Sequence, residues 1–331
     1  MNYHVYGIGN ALVDTEFEVN ETFFTKYGIE KGLMTLIESD QHAALLKGLN
    51  DEYSVKKRAG GGSAANTIVA ISQLGGNTFY ACKVADDEPG DFYMKDLALA
   101  GVKTKLDAMK QEGVTGQCIV MVTDDANRTM NSFLGITSDF SIDDLHIEDL
   151  KKSEYLYIEG YLVTSDVSRN AAIHARKIAE ENNVKTAFTF SDPAMVTYFK
   201  DNVSEVIGNG VDVLFCNEEE ATIYTGKNNL DDAITELRRI ANKIIVTLGD
   251  KGAKIITGEK QVDIEVSKVK AIDTNGAGDM FAGAFMYGLT QGMSDRDAGM
   301  LASELAARTV ATFGARLEKD VQLSILEKYL D

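Results

Sequence analysis

Lys268-Val-Lys-Ala-Ile-Asp-Thr-Asn-Gly-Ala-Gly-Asp-Met-Phe-Ala-Gly-Ala-Phe-Met-Tyr-Gly288 is the stretch whose reading decides the fold. A β-type run ends at Asp273, an apolar helix rich in small residues begins near Asp279, and glycines lie between them. Gly276, Ala277 and Gly278 carry little or no side chain, so their N–H groups can face a ligand at the positive end of the helix. Such an anion hole stabilises charge on a transferring phosphoryl group. Asp279, in the first helical turn, is placed to take a proton from an attacking hydroxyl as a general base. The plainer alternative is a tight turn with Asp279 as an N-terminal cap. The flanking Asp273 and Thr274 and the helix behind them favour the catalytic reading.

Outward from this motif, short apolar strand-like runs alternate with amphipathic helical ones. The spacing predicts helices over Asn66 to Leu74, Pro89 to Ala100, Ser168 to Asn182, Glu218 to Thr225, Leu230 to Ala241 and Thr274 to Gln291. Strands are predicted over Thr78 to Cys82, Tyr155 to Ile158, Thr186 to Phe190, Val211 to Cys216, Lys243 to Thr247 and Ala253 to Thr257. The opening run from Met1 to Gly9 reads as a strand entering a turn. This alternation predicts an α/β fold with a mostly parallel sheet covered by helices. The only prolines are Pro89 and Pro193, and no linker-like or repeated segment appears, so residues 1–331 are expected to form one domain. Thr15 to Ile37 and Thr115 to Leu134 break the alternation with short β-type runs around the turn Asp124-Asp-Ala-Asn127. They are expected to pair into a small separate sheet, either as edge strands or as a lid that closes over a site and excludes water.

Four further motifs place polar groups at strand ends or helix starts. Ala59-Gly-Gly-Gly-Ser-Ala-Ala-Asn-Thr67 lets backbone approach a ligand, and Asn66 offers a donor and an acceptor to a pair of hydroxyls. It lacks the Lys-Ser/Thr ending of a Walker loop. Gly7-Ile-Gly-Asn-Ala-Leu-Val-Asp14 has no third glycine, and a strand-like run follows it where a dinucleotide fingerprint needs a helix. Asn10 and Asp14 instead fall beyond a first strand, where Asp14 can accept from sugar hydroxyls or satisfy its own turn. Asn217 and Glu220 stand at a strand end, as a helix start or as organisers of Mg²⁺ through water. Thr247 and Gly249 end another strand in a glycine turn, which a hairpin into Ala253 to Thr257 also explains.

Composition excludes several classes. With 33 basic and 51 acidic side chains the net charge is −18, which repels a nucleic-acid backbone and leaves any anionic ligand to local devices. No apolar run approaches a membrane span, and the opening lacks the order of a signal peptide, so a cytoplasmic protein is expected. Cys82, Cys118 and Cys216 are far apart and read as reduced core thiols. His4, His42, His146 and His174 form no pair at metal spacing.

Taken in order from Gly7 to Ala315, these motifs resemble the ribokinase-like, or phosphofructokinase-B, carbohydrate kinase family. The resemblance implies a three-layer α/β/α fold with a small β-sheet lid, and ATP-dependent phosphorylation of a primary hydroxyl with Mg²⁺. It implies Asp279 as base, Gly276 to Gly278 as anion hole, Asn217 and Glu220 as phosphate and Mg²⁺ organisers, and Thr247, Gly249 and Gly252 in the ATP site. A monovalent cation such as K⁺ near the anion-hole loop is common in the family. Gly9-Asn-Ala-Leu-Val-Asp14, Ala59-Gly-Gly-Gly-Ser63, Asn275 and Asn127-Arg-Thr-Met130 are most similar to adenosine kinases within it. The acceptor would be a nucleoside, or a sugar such as ribose or fructose, held by Asn10, Asp14, Gly61, Gly62, Ser63, Asn66 and Asn275. Tyr161 would stack on a base, and Arg128 would reach the transferring phosphate from the lid. A dehydrogenase is disfavoured by the missing third glycine, and a non-catalytic sensor would not need Asp279. Either a monomer or a homodimer joined through the lid is compatible with the sequence.

Overall fold

In a computed structural model that describes residues 2–105, 111–266 and 268–330, the apolar runs assemble into two sheets. Met1 of the opening strand and Asp331 of the expected single domain lie outside the described residues. In chain order the strands are β1 (Tyr3–Ile8), β2 (Leu12–Glu18), β3 (Met34–Leu36), β4 (Val55–Gly61), β5 (Thr78–Ala81), β6 (Gly116–Val122) and β7 (Arg128–Phe133). They continue with β8 (Ser153–Ile158), β9 (Lys185–Thr189), β10 (Val211–Asn217), β11 (Ala241–Thr247), β12 (Ala253–Thr257) and β13 (Lys260–Ile264). The large sheet has eight strands in the order β13-β12-β11-β10-β9-β8-β1-β5. From β5 to β11 neighbouring strands run parallel, and the edge pair β12 and β13 is antiparallel.

Alternation along each strand builds the three layers, because successive side chains point to opposite faces. On one face Val5, Tyr155, Tyr157, Ala187 and Val213 pack with Ile68, Phe285 and Leu301 of the helices Ser63–Gln73, Ala277–Thr290 and Asp295–Val310. On the other face Tyr6, Leu156, Ile158 and Phe188 pack with Ala172, Val203 and Ile234 of the helices Asp166–Glu181, Lys200–Ile207 and Leu230–Leu237. A doubly covered sheet of this kind is what parallel strands require. The predicted helix over Leu230 to Ala241 ends earlier, at Leu237, because Ala241 begins β11 and pairs with Val211.

The second sheet has the order β3-β7-β6-β2-β4. The two segments expected to form it supply strands, but so does Val55–Gly61, whose register pairs Asp14 with Ala59 and Leu12 with Gly61. One face of this sheet has its own small core, in which Phe17, Ile119 and Met121 meet Phe23, Leu45 and Leu49 of the helices Glu21–Tyr27 and Ser39–Glu52. The chain passes from the large sheet to the small one between β1 and β2, and returns between β4 and the helix Ser63–Gln73. Among the described residues no helix is long and apolar enough to cross a membrane.

The helices Ser63–Gln73 and Ala277–Thr290 cross closely at Gly283, where a Cβ would lie 2.7 Å from the Ala70 Cβ and 2.7 Å from the Thr67 carbonyl oxygen. Gly283→Val should therefore destabilise the chain by about 1–3 kcal/mol through overpacking, read as a lower urea midpoint. It should also lower activity, because both helices carry site residues at their N-termini.

Candidate active site

Asp273 is fully buried at the end of the loop before the helix Ala277–Thr290, and it shapes that loop. Its Oδ1 accepts from the Asn275 N–H at 2.8 Å and its Oδ2 from the Gly314 N–H at 2.9 Å. Gly276 caps the helix with φ +71°, and a Cβ there would lie 2.4 Å from the Ala315 carbonyl oxygen. Only glycine fits such a position without strain. At Gly278 an added Cβ meets nothing within 4 Å, so this part of the turn faces open space. The first-turn N–H groups of Gly278 and Asp279 have no helical carbonyl to receive them, a geometry that can receive an anion.

Asp279 reaches from this turn toward the other crossing helix. Its Oδ1 accepts from the Ser63 hydroxyl at 2.7 Å and its Oδ2 from the Asn66 amide at 2.9 Å. Burial raises its pKa, while these two hydrogen bonds and the charges of Arg128 and Arg316 oppose the rise. The helix Ser63–Gln73 begins after Gly62, whose φ of +98° and whose approach to the Asn10 carbonyl both require glycine.

Asn10 follows β1 and is held by a residue that the sequence reading missed. Glu159, just after β8 and with no exposed surface, accepts from the Asn10 backbone N–H at 3.2 Å and from its side-chain amide at 3.0 Å. Its other oxygen accepts from the Ala64 N–H at 2.8 Å, at the start of the helix. Asp14, on β2, packs where a Cβ on Gly61 would come within 2.1 Å of its carboxylate. Gly61 itself lies outside the cavity lining and leaves room for Asp14. Burial pushes Asp14 up to about 7, with Arg316 opposing and Asp279 and Asp96 adding to the rise. Burial likewise pushes Glu159 up to about 7.

Asn10, Asp14, Gly62, Ser63, Asn66, Asn275, Gly276, Ala277, Gly278 and Asp279 line one cavity of about 390 Å³. The second sheet lines it too, with the apolar Leu12, Met34, Leu36 and Met130 as well as Asp14, Arg128 and Ser132, and Leu134 and Tyr161 add further apolar surface. Arg128, also in the lining, donates to the Thr274 hydroxyl at 3.5 Å, and Thr274 donates to the Ala126 carbonyl at 3.4 Å. The two sheets thus touch at the loop that carries the glycines. A second cavity of about 580 Å³ adjoins the first, with Thr247, Gly249, Gly252, Lys268 and Val310 in its walls. Thr247, Gly249, Thr274, Ala277, Gly278 and Phe281 border both.

Asn217 caps the helix Glu218–Thr225 by accepting from the Glu220 N–H at 2.8 Å. The Glu220 carboxylate accepts in return from the Asn217 N–H at 2.9 Å and its amide at 3.0 Å, and burial pushes Glu220 up to about 7. Both residues line the first cavity. Among the described residues no three His, Cys, Asp or Glu side chains gather into a metal cage. Cys82, Cys118 and Cys216 are free and buried, and the latter two reach the cavity wall.

Residues 33–321 match the profile of a family described as pfkB family carbohydrate kinase. An adenosine kinase of Saccharomyces cerevisiae is 28% identical over 326 residues, covering 93% of this chain and 94% of the yeast protein. The crystal structure of adenosine kinase from Sinorhizobium meliloti superposes with a TM-score of 0.91 at 31% identity, covering 99% of each chain. A probable sugar kinase from Rhizobium etli superposes equally well, with a TM-score of 0.91 at 28% identity over 99% of this chain and 98% of that one.

The buried carboxylates make stability depend on pH. Asp14 keeps its proton up to about 7 in the folded chain, whereas an unfolded aspartate loses it near the ordinary value of 3.8. Between those values ionisation increasingly opposes folding. Asp14→Asn should therefore gain stability over the wild type as pH rises from about 4 to about 7 and hold the gain above that, as urea midpoints at several pH values would show.

Proposed function

The chain belongs to the pfkB family of carbohydrate kinases, phosphotransferases with an alcohol acceptor, and on that premise we propose that it transfers the γ-phosphoryl group of ATP to the 5′-hydroxyl of an adenosine-like nucleoside. The observation that carries this reading is the meeting of two cavities at Ala277 and Gly278, with Asp279 on the wall of one of them. An acceptor in the first cavity and a nucleotide in the second would bring hydroxyl and γ-phosphate together at the unpaired N–H groups of the helix start.

In this mechanism Asp14, Asn10, Gly62 and Asn66 hold the ribose hydroxyls in the first cavity. Asp279 accepts the proton of the attacking hydroxyl on its carboxylate, which Ser63 and Asn66 keep oriented. The amides of Gly276 to Gly278 and the Arg128 guanidinium face the charge on the transferring phosphoryl group. Thr247, Gly249 and Gly252 border the nucleotide side. The Glu220 carboxylate, which accepts from the Asn217 N–H and amide, and the Asn217 amide oxygen, which accepts from the Glu220 N–H, are an oxygen set that would suit Mg²⁺ held through its waters. When bound, Mg²⁺ would supply positive charge to the phosphate oxygens. The second sheet acts as a lid, because Arg128 and much of the apolar lining of the cavity belong to it.

The apolar lining favours a nucleoside over a free sugar. Met34, Leu36, Met130, Leu134 and Tyr161 line the same cavity as the polar groups, and a planar base would cover such apolar surface better than a lone pentose or hexose. The likeness to a probable sugar kinase keeps the sugar acceptor as the second reading. A screen of ADP release over adenosine, inosine, guanosine, ribose and fructose should give strong turnover with adenosine. Turnover of a free sugar with none of adenosine would overturn the substrate and leave phosphoryl transfer standing. Asp279→Asn should retain acceptor binding by calorimetry and lose roughly 10² to 10⁴ in kcat, the range for a positioned general base. Near wild-type turnover would exclude Asp279 from that role.

A further inference from the structure

We infer that Arg316 is a positioning residue for Asp279 and that it acts through the Asn66 amide. The inference rests on the proposed phosphoryl transfer, in which Asp279 is the base. Arg316 lies outside the cavity lining, and its side chain is 10% exposed. Its Nε donates to the Asn66 Oδ1 at 2.8 Å, and the Asn66 Nδ2 donates to the Asp279 Oδ2 at 2.9 Å.

An asparagine amide presents a donor at one end and an acceptor at the other, and the two ends are nearly equal in shape. Turned over, Asn66 would aim its oxygen at the Asp279 carboxylate and leave Oδ2 without that donor, with Ser63 alone serving Oδ1. A guanidinium donates and never accepts, so Arg316 admits only the orientation in which Asn66 serves Asp279. Arg316 is in turn fixed from its far side, where Nη1 pairs with Asp96 of the helix Glu88–Leu99. Gly60 has no side chain at the place where Asp96 approaches, and a Cβ there would stand 2.5 Å from the Asp96 Oδ2.

The same short segment also builds the anion hole. Gly314 donates to Asp273, Ala315 packs against Gly276, and Arg316 follows at once. One turn of chain thereby sets both the helix start that faces the phosphoryl group and the amide that orients the base. Arg316 also acts by charge, opposing the raised pKa of both Asp279 and Asp14. The other groups acting on Asp279 are Ser63 and Asn66 by hydrogen bonds and Arg128 by charge. Asp279 in turn acts by charge on Asp14, Glu159, Tyr157 and Tyr161.

The test is a double-mutant cycle on kcat in the full chain, with Arg316→Met, Asn66→Ala and the pair, using the acceptor that the wild type turns over. Arg316→Met alone should lower kcat by roughly 10-fold, within the coupling usual for one hydrogen-bonded network. On the Asn66→Ala background, at a pH above the acid limb where the charge of Arg316 no longer limits ionisation of Asp279, the same change should cost less than about 2-fold, because the path through the amide is already gone. The acid limb of kcat/KM should move to higher pH in Arg316→Met and stay near the wild-type position in Arg316→Lys, which keeps the charge. Independent, multiplicative losses, or a loss confined to KM with an unmoved acid limb, would overturn the role. Should Arg316→Met fail to fold, Arg316→Lys and Asp96→Asn carry the same cycle, and additivity there overturns the role equally. A wild type that turns over no acceptor at all defeats the proposed function, and the cycle is then read from the Asp279 carboxyl titration followed by carbon NMR. That titration should move upward in Arg316→Met, or upward in Arg316→Gln, which also removes the charge, where Arg316→Met does not fold. An unmoved one overturns the positioning role.

Discussion

Asp273 holds the site together. One of its oxygens accepts from Asn275, within its own loop, and the other from Gly314, about forty residues later in the chain. Buried with no exposed surface, it is satisfied by those two amides, and a buried carboxylate without such partners would be expensive. The left-handed turn at Gly276, the exposed amides of the helix start and the direction of Asp279 all follow from where this loop is tied. The tie also fixes the segment Gly314 to Arg316, so the two halves of the cleft floor share one anchor.

Around that anchor the protein gathers carboxylates that raise one another. Burial raises each of them and the neighbouring charges add to it, Asp279 at Asp14 and Glu159, and Asp14 and Asp273 at Glu16, which reaches about 8. One oxygen of Glu16 is buried with no hydrogen-bond partner among the described residues. A core designed for stability alone would avoid such a cluster. Its persistence at the junction of the two sheets fits a site that needs acceptors for hydroxyl protons, with the cost met by the doubly covered sheet next to it. Arg316 and Arg128 both oppose the rise at Asp279, the first from the segment after Gly314 and the second from the small sheet.

How much of this was readable from the chain follows the range of the interactions. Asp279, Gly276 and Gly278 announce themselves because a turn, a helix start and a carboxylate fall within a few consecutive residues. The large sheet is legible because its strands are buried on both faces and read as apolar runs, such as Leu214 to Cys216. Val55–Gly61 was not legible as a strand: it opens with Val-Lys-Lys-Arg, sits at the edge of the small sheet, and ends in glycines that resemble a loop. Glu159 gives no local signal, since one glutamate after an apolar run is ordinary; its partners Asn10 and Ala64 stand 149 and 95 residues away. Arg316 is farther still, 250 residues from Asn66.

The net charge of −18 makes the geometry of the helix start more than a detail. A polyanionic ligand approaching this surface meets repulsion at long range, and only short-range devices can reverse it. The helix Ala277–Thr290 supplies unpaired amides and the positive end of its dipole, both of which act over a few ångströms. Arg128 adds a full charge, but it comes from the second sheet, and its contact with Thr274 is long, at 3.5 Å. Its Nε is buried without a partner among the described residues, so the guanidinium retains donor capacity beyond that contact. An arginine held in this way has more to gain from an anion at Gly278 than from any neighbour it now has. An anion bound at the glycine turn would meet this guanidinium, which already reaches the loop from the small sheet through Thr274.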